Sequence, residues 1–404
     1  MTDIRTDFCV VGGGPAGLTL ALLLARSGAR VAVVERSRSF EREYRGEILQ
    51  PGGQALLAEL GVLAPARAHG AHEHHRFLLE ENGKVLINGD YRRLPGPFNC
   101  LLSIPQRHLL RELLAQCHEY AGFQYLSGTK VTALVEDGGR VQGVVCGDDQ
   151  VVLAHCVIGA DGRYSKVRQL AGIPADRVEG FRQDVLWFKL SADGELPSDV
   201  RVFRAGGNPV LAYTSVRDRV QFGWTLPHKG YQLLAQQGLA HIKEQLRAAV
   251  PGYADRIDEE ITSFRDLSLL DVFSGGARQW VRDGLLLIGD SAHTHGPIGA
   301  QGINLAIQDA VAAHPLLLES LRANDSSGAM LGRFVTVRKR DIDRMNRIQA
   351  VQGKAMLSAG RVSSVVRPRL AIVVARTPLY RAMLRQIAFG NTGIRIRTEL
   401  FARG

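Results

Sequence analysis

Six residues near the N-terminus, Gly12-Gly13-Gly14-Pro15-Ala16-Gly17, have the spacing of a loop that holds a pyrophosphate. Glycines permit the tight turn and let the backbone approach the anion at the start of a helix. Glu35 follows 18 residues after the last of these glycines. At that distance a carboxylate stands at the end of the next strand and can accept both hydroxyls of a ribose. The loop suits a nicotinamide dinucleotide as well as a flavin one. Arg45-Gly46 lies a little further on, where a cation can pair with the pyrophosphate. Arg36 is placed to lie over an adenine face. Taken singly, each arginine also reads as a solvated surface charge.

Two later segments carry chemistry-bearing residues. In Gly159-Ala160-Asp161-Gly162-Arg163-Tyr164-Ser165 a strand runs into an Asp-Gly turn. In Gly289-Asp290-Ser291-Ala292-His293 a buried strand delivers Asp290, whose carboxylate can accept from a sugar-alcohol hydroxyl. Pro297-Ile298-Gly299-Ala300-Gln301-Gly302-Ile303-Asn304 then forms a turn that starts a helix. The positive end of that helix favours a nearby anion. His293 and His295 invite a catalytic reading, but neither has an evident Asp partner at defined spacing, so both read as structural. His72, His74 and His75 lack a Cys or Asp at ligand spacing, which favours a polar loop or strand edge over a metal site.

The elements that must position these residues follow from periodicity. Phe8–Val11, Leu18–Arg26 and Ala29–Glu35 read as strand, helix and strand. Gln54–Leu60 is helical, and Gly61 ends it. Residues 72–100 alternate about an Asn82-Gly83 hairpin turn. Gln106–Tyr120 is helical. Lys130–Val135, Arg140–Val145 and Val151–Ile158 read as strands. From 178 to 270 the pattern becomes an alternating sheet: Val185–Leu190, Val200–Phe203, Val210–Thr214 and Val220–Leu226, interrupted by one helix over Leu233–Val250. Leu285–Ile288 returns to a buried strand, and a helix from Gly302 to about His314 precedes a largely helical tail.

The order of these motifs resembles the class A flavoprotein monooxygenases, the p-hydroxybenzoate hydroxylase family, over residues 1 to about 320. The glycine fingerprint, the 159–165 segment and the 289–304 segment occur in that family's order, with Ala300 standing between Gly299 and Gln301. The resemblance implies an α/β fold: a Rossmann-type FAD-binding domain interleaved with an antiparallel-sheet substrate domain, then a helical C-terminal tail. The FAD-binding parts would be 1–71, 101–177 and 271–345. The substrate domain would take 72–100 and 178–270, leaving 346–404 as the tail. FAD contacts are implied at Gly12, Gly14, Pro15, Ala16, Gly17, Glu35, Arg36, Arg45, Gly46, Arg107, Asp161, Asp290, Pro297, Gly302, Ile303 and Asn304. The implied reaction uses NADH or NADPH as a transient reductant and O2, through a flavin C4a-hydroperoxide, to hydroxylate or epoxidise an aromatic or lipophilic ring. The protein shields the intermediate and the flavin carries the oxygen chemistry. A reductase of isoprenoid double bonds and a non-catalytic flavin-bound scaffold stay open as alternatives. A halogenase fits less well, because its W-x-W-x-I-P segment is missing.

The pocket should lie between the alternating sheet and the flavin, with Trp187, Tyr213, Phe222 and Trp224 as candidate liners. Half of any such stripe is ordinary core by alternation. No residue stands out as a general base. Five scattered cysteines, without C-x-x-C spacing, read as buried free thiols of a reducing cytoplasm. The net charge is +10, and residues 353–404, with nine Arg, one Lys and one Glu, carry +9 of it. A nucleic-acid partner is not expected, since no binding module or aromatic interleaving accompanies the charge. Tyr380, Met383, Leu384 and Ile387 fall at helical spacing among arginines. This segment reads either as a helix packed on the FAD domain or as a peripheral contact with an anionic membrane.

Overall fold

The computed structural model describes residues 3–41, 47–147, 149–178, 183–192, 196–204, 208–216, 218–228, 230–357, 373–375 and 377–402. The Arg45 and Gly46 of the sequence reading therefore lie outside the described residues, as do residues 370–372 and Arg376 of the basic tail.

Four apolar strands form the centre of the larger sheet. Ile4–Val11 pairs in parallel with Val31–Glu35 on one side and with Val151–Gly159 on the other. Leu285–Leu287 adds in parallel to Val151–Gly159, and Phe123–Ser127 to Val31–Glu35. These central strands are near-continuous apolar runs, as strands buried on both faces are. The helix Pro15–Arg26 buries Ala16 through Ala25, and the long helix Gly302–Ala323 packs beside it. Sequence periodicity ends this second helix near His314, ahead of Pro315. The chain instead continues helically to Ala323, with Leu316, Leu317 and Leu318 buried. The apolar face past the proline outweighs the lost backbone donor.

The second sheet has seven strands and draws on both expected segments, the hairpin Arg76–Glu81/Lys84–Asp90 and the strands between Gln183 and Leu270. Asn82 and Gly83 at the hairpin tip have φ of 51° and 74°, the pair of positive values a two-residue turn of this kind demands. The helix expected over 233–250 is two helices, Gly230–Gln236 and Leu239–Ala249, divided at Gly238 with φ of 91°. A third, Ala254–Glu260, completes the cover on that face of the sheet.

The helix Gly328–Leu357 runs unbroken across the expected boundary at 345/346. Beyond it, Pro378–Phe389 is a further helix, capped by the Thr377 side chain. No described helix is long and apolar enough to cross a membrane. All five cysteines are buried and unpaired with one another.

Candidate active site

The glycine loop is built by close approach. A Cβ on Gly17 would lie 1.9 Å from the Gly12 carbonyl oxygen, and one on Gly12 would lie 2.4 Å from that of Ala160. Gly12 has φ of 113°, which only glycine adopts readily. A Cβ on Gly14, by contrast, meets nothing within 4 Å. The loop is therefore packed from behind and open in front. No side chain caps the helix that begins at Pro15, so its first N–H groups and its positive end face the open side. Glu35 closes the far end. It is buried, and its two carboxylate oxygens accept from the backbone N–H of Gly13 at 2.7 Å and of Ser37 at 2.8 Å. These bonds fix the carboxylate beside the loop. An open, glycine-floored, uncapped helix end beside a fixed carboxylate fits a dinucleotide.

Arg36 is exposed, as a residue lying over an adenine requires. Arg107 opens the helix Gln106–Cys117 and faces Glu41 at 4.0 Å, while Arg111 grips the same carboxylate at 2.6 Å.

Asp161 lies at the Asp-Gly turn, and its carboxylate is engaged within the protein. One of its oxygens accepts from Ser165 and Ser291, and the other from the backbone N–H of Lys166 and Val167. Its carboxylate is consumed in fixing the start of the short helix Lys166–Leu170 against the 289–295 loop. Asn304 is likewise engaged: it accepts from the Gln50 N–H at 2.9 Å and donates to the Ala300 carbonyl at 2.7 Å.

Asp290 stands in a single helical turn at the end of the strand Leu285–Leu287, partly exposed, with Arg163 at 3.7 Å. Gly302 faces it, since a Cβ there would lie 3.9 Å from the Asp290 carboxylate. Pro297, Gly302 and Ile303 are all partly accessible at this turn. Ala300 occupies the left-handed region with φ of 50°, costing about 1–2 kcal/mol.

The histidines do have an acid partner, contrary to the sequence reading. Asp309, fully buried, accepts from the Gly289 N–H at 2.8 Å, pairs with His293 Nε2 at 2.7 Å, and accepts from Arg338 Nε at 2.8 Å. His293 Nδ1 lies 3.0 Å from His295 Nε2. Burial pushes the His295 imidazole down to about 3, with the neighbouring His293 adding to the shift. The His293 and Arg338 charges hold the Asp309 carboxyl well below its usual range against the opposing effect of burial. Asp309 thus clamps the backbone that carries Asp290. The missed signal was an acid between Ile307 and Ala310, on a helix otherwise lined there with apolar residues.

The four aromatic candidates divide by strand alternation. Trp187 and Tyr213 project toward Ile48, Tyr91 and Ala388, in a seam that also takes in Ala300. Phe222 and Trp224 project to the opposite face, under the helices Leu239–Ala249 and Ala254–Glu260, where Phe222 stacks on Phe188. Those two are core residues of the outer face, not liners of the inner one. The inner face also holds Lys189, which bonds Glu47 at 2.7 Å and Ser215 at 3.1 Å. Glu47 in turn accepts from Ser215 at 2.8 Å.

His74 of the histidine cluster is buried on Ser103 and the Thr214 carbonyl, and burial lowers it to about 4. Asp184, His228 and Asp271 do gather within ligand distance of one another, but Asp271 is already held by Arg177 and Tyr164.

The tail helix closes the seam. Gln301 donates to the Ile387 carbonyl at 3.0 Å and Gln308 to that of Phe389 at 2.9 Å. Tyr380 and Ile387, half of the stripe offered as membrane-facing, are buried, while Leu379 is 75% exposed.

Residues 5–342 match the family described as "FAD binding domain". The chain is 65% identical over 403 residues to the 6-methylpretetramide 4-monooxygenase of Streptomyces rimosus, covering 99% of this chain and 96% of that one. It is 26% identical over 309 residues to the pentachlorophenol 4-monooxygenase of Sphingobium chlorophenolicum, covering 74% of this chain and 56% of that one. The fold superimposes on a p-nitrophenol 4-monooxygenase from Pseudomonas putida with a TM-score of 0.80 at 18% identity, covering 96% of this chain and all of that one.

Proposed function

Since the chain belongs to the class A flavin monooxygenases, we propose that its substrate is an oxygen-bearing aromatic of the 6-methylpretetramide kind, hydroxylated at one ring carbon. FAD, when bound, supplies the chemistry by which NAD(P)H and O2 yield NAD(P)+, water and one oxygen atom on the ring.

The chain's own residues bind, orient and exclude water. The Gly12–Gly17 turn and the uncapped helix end take the pyrophosphate, and Glu35 takes the ribose hydroxyls. Asp290 accepts from the sugar-alcohol chain, held in place through Asp309. The N–H groups of Gly302 and Ile303 open the helix Gly302–Ala323, and its positive end would favour negative charge on the bound cofactor. Above it, the inner face of the substrate sheet presents a flat wall of Trp187 and Tyr213. The helix Pro378–Phe389 shuts the seam against solvent, which protects a reactive oxygen species from discharge into water.

The observation that carries this reading is the 65% identity along almost the whole chain, together with the aromatic pair Trp187 and Tyr213 packed with Ala300 of the 297–302 turn. The test is NAD(P)H oxidation by the FAD-loaded protein with and without 6-methylpretetramide. The substrate should accelerate oxidation and gain 16 mass units, the mass of one oxygen atom. Acceleration by isoprenoid substrates instead, with double bonds lost and no oxygen consumed, would move the protein to the reductase reading.

A further inference from the structure

One polar group in the seam between the substrate sheet and the 297–302 turn has no partner among the described residues. Trp187 is 8% exposed, and its indole N–H meets no acceptor there. A buried N–H without an acceptor is unfavourable, and native chains leave few of them. Such a group in a seam beside a binding site is open to an acceptor that a ligand brings.

The placement of the ring is deliberate at the level of sequence. Trp187 pairs across the strands with Gly223. A Cβ at Gly223 would lie 2.8 Å from the six-membered part of the indole. Only a glycine lets the ring lie down on the sheet at this point. The atoms nearest Gly223 are on the edge of the indole away from its nitrogen, so the N–H is carried on the edge that points away from that strand. Of the other polar groups of this face, Lys189, Glu47 and Ser215 bond one another, while the Gln221 side-chain oxygen, an acceptor, is also without a partner among the described residues. Around the indole the neighbours are apolar: Val185, Tyr213, Ala300 and Ala388 belong to the same cluster.

An indole N–H only donates, so its partner must be an acceptor. A flat apolar wall with a single donor at its edge suits an aromatic ring that carries a hydroxyl or carbonyl oxygen. We propose that the Trp187 N–H donates a hydrogen bond to a ring oxygen of the substrate and so sets which edge of the ring is turned to the oxygenation site. Trp187 is on this account a specificity-determining residue. The inference rests on the reading of an oxygen-bearing aromatic substrate.

The test uses the FAD-loaded protein and Trp187→Phe, which keeps a flat aromatic ring against Gly223 and removes the donor together with part of the indole. Binding of 1,8-dihydroxyanthraquinone, 1-hydroxyanthraquinone and anthracene, which carries no oxygen, is followed by the change each makes in the flavin absorbance. Trp187→Phe should weaken the compounds that carry the bonded oxygen about 3- to 10-fold, the range for one neutral hydrogen bond. It should bind the analogue lacking that oxygen as the parent protein does, to within about twofold. An equal loss for all three compounds, or no loss for any, overturns the proposal, since a packing role moves every ligand alike. If the parent protein binds none of the three, the oxygen-bearing aromatic reading falls and this proposal with it. Parent binding with a uniform loss in the variant removes the proposal alone.

Discussion

The cofactor side and the substrate side of the cleft are held by different means. On the cofactor side, almost every feature is fixed by more than one contact. Asp161 has four donors, Asp309 ties a backbone N–H, a histidine and an arginine together, and Gly12 and Gly17 leave no room for a side chain. On the proposed substrate side, the wall is one face of an alternating sheet, with apolar contacts, the Lys189–Glu47–Ser215 network and, among the described residues, the unpartnered Trp187 N–H. A site that binds one invariant cofactor gains from rigidity at every atom. A site that recognises one ring among many needs only a shaped wall and a few polar marks.

This contrast is sharpest where a charge is removed. Asp309→Ala leaves Arg338 buried with only one of its two acids, Asp341, and frees the Gly289 N–H. It should cost about 3–5 kcal/mol, the range for breaking a buried ion pair. Thermal melting and the FAD content of the purified variant measure it, and both should fall. An unchanged melting temperature would mean that Asp309 is not the clamp. Phe222→Ala comes close behind, at about 3–5 kcal/mol for an emptied aromatic core site. Unlike Asp309→Ala, it should leave the KM for substrate unchanged, because its ring stacks on Phe188 on the outer face. A raised KM with intact stability would put Phe222 back among the liners.

Much of the cofactor side was legible because its constraints are local in sequence. Gly12 to Gly17, Glu35 and Asp290 each stand at a spacing that one turn, strand or helix translates into position. Asp309 was missed because its partners, His293 and Arg338, are brought to it by tertiary packing and not by spacing. Asp161 was placed in the right loop, but its four donors come from Ser165, Lys166, Val167 and Ser291, which no periodicity reveals. On the substrate side, alternation named four aromatics and could not choose the face. Gly223 opposite Trp187 was the clue that a ring lies flat there, but it needs the strand register to be read. The helix break at Gly238 and the helix continuing past Pro315 show the same limit: a single residue suggests a boundary, and burial around it decides.

Gly223→Ala gives a mid-sized test of the comparison. The added methyl should lift the Trp187 ring and lower kcat/KM about tenfold while FAD content holds. Loss of FAD in this variant would show that the two sides are one unit and erase the contrast.

Acid should act on the whole framework. His74 and His314 are lowered to about 4 and His295 to about 3, chiefly by burial. The unfolded chain therefore binds protons on these histidines from about pH 6.5 downward while the folded chain does not, so stability is full above that pH. It should fall steadily as pH drops toward 4, which melting curves across that window will show. A flat profile would mean that these side chains are not buried as neutral imidazoles.

The smallest effect concerns the tail. Because Tyr380 and Ile387 are buried, the protein should stay in the supernatant with anionic liposomes. Salt-reversible co-sedimentation at low ionic strength would show instead that its arginines act on lipid even with the helix docked.

The central claim, that this framework oxygenates an aromatic ring, is tested most directly by turnover under 18O2. With FAD-loaded protein, NAD(P)H and 6-methylpretetramide, the account predicts one heavy oxygen atom in the product, one molecule of NAD(P)H consumed for each product formed, and none formed without oxygen. Product whose new oxygen comes from water, or product formed anaerobically, would contradict it.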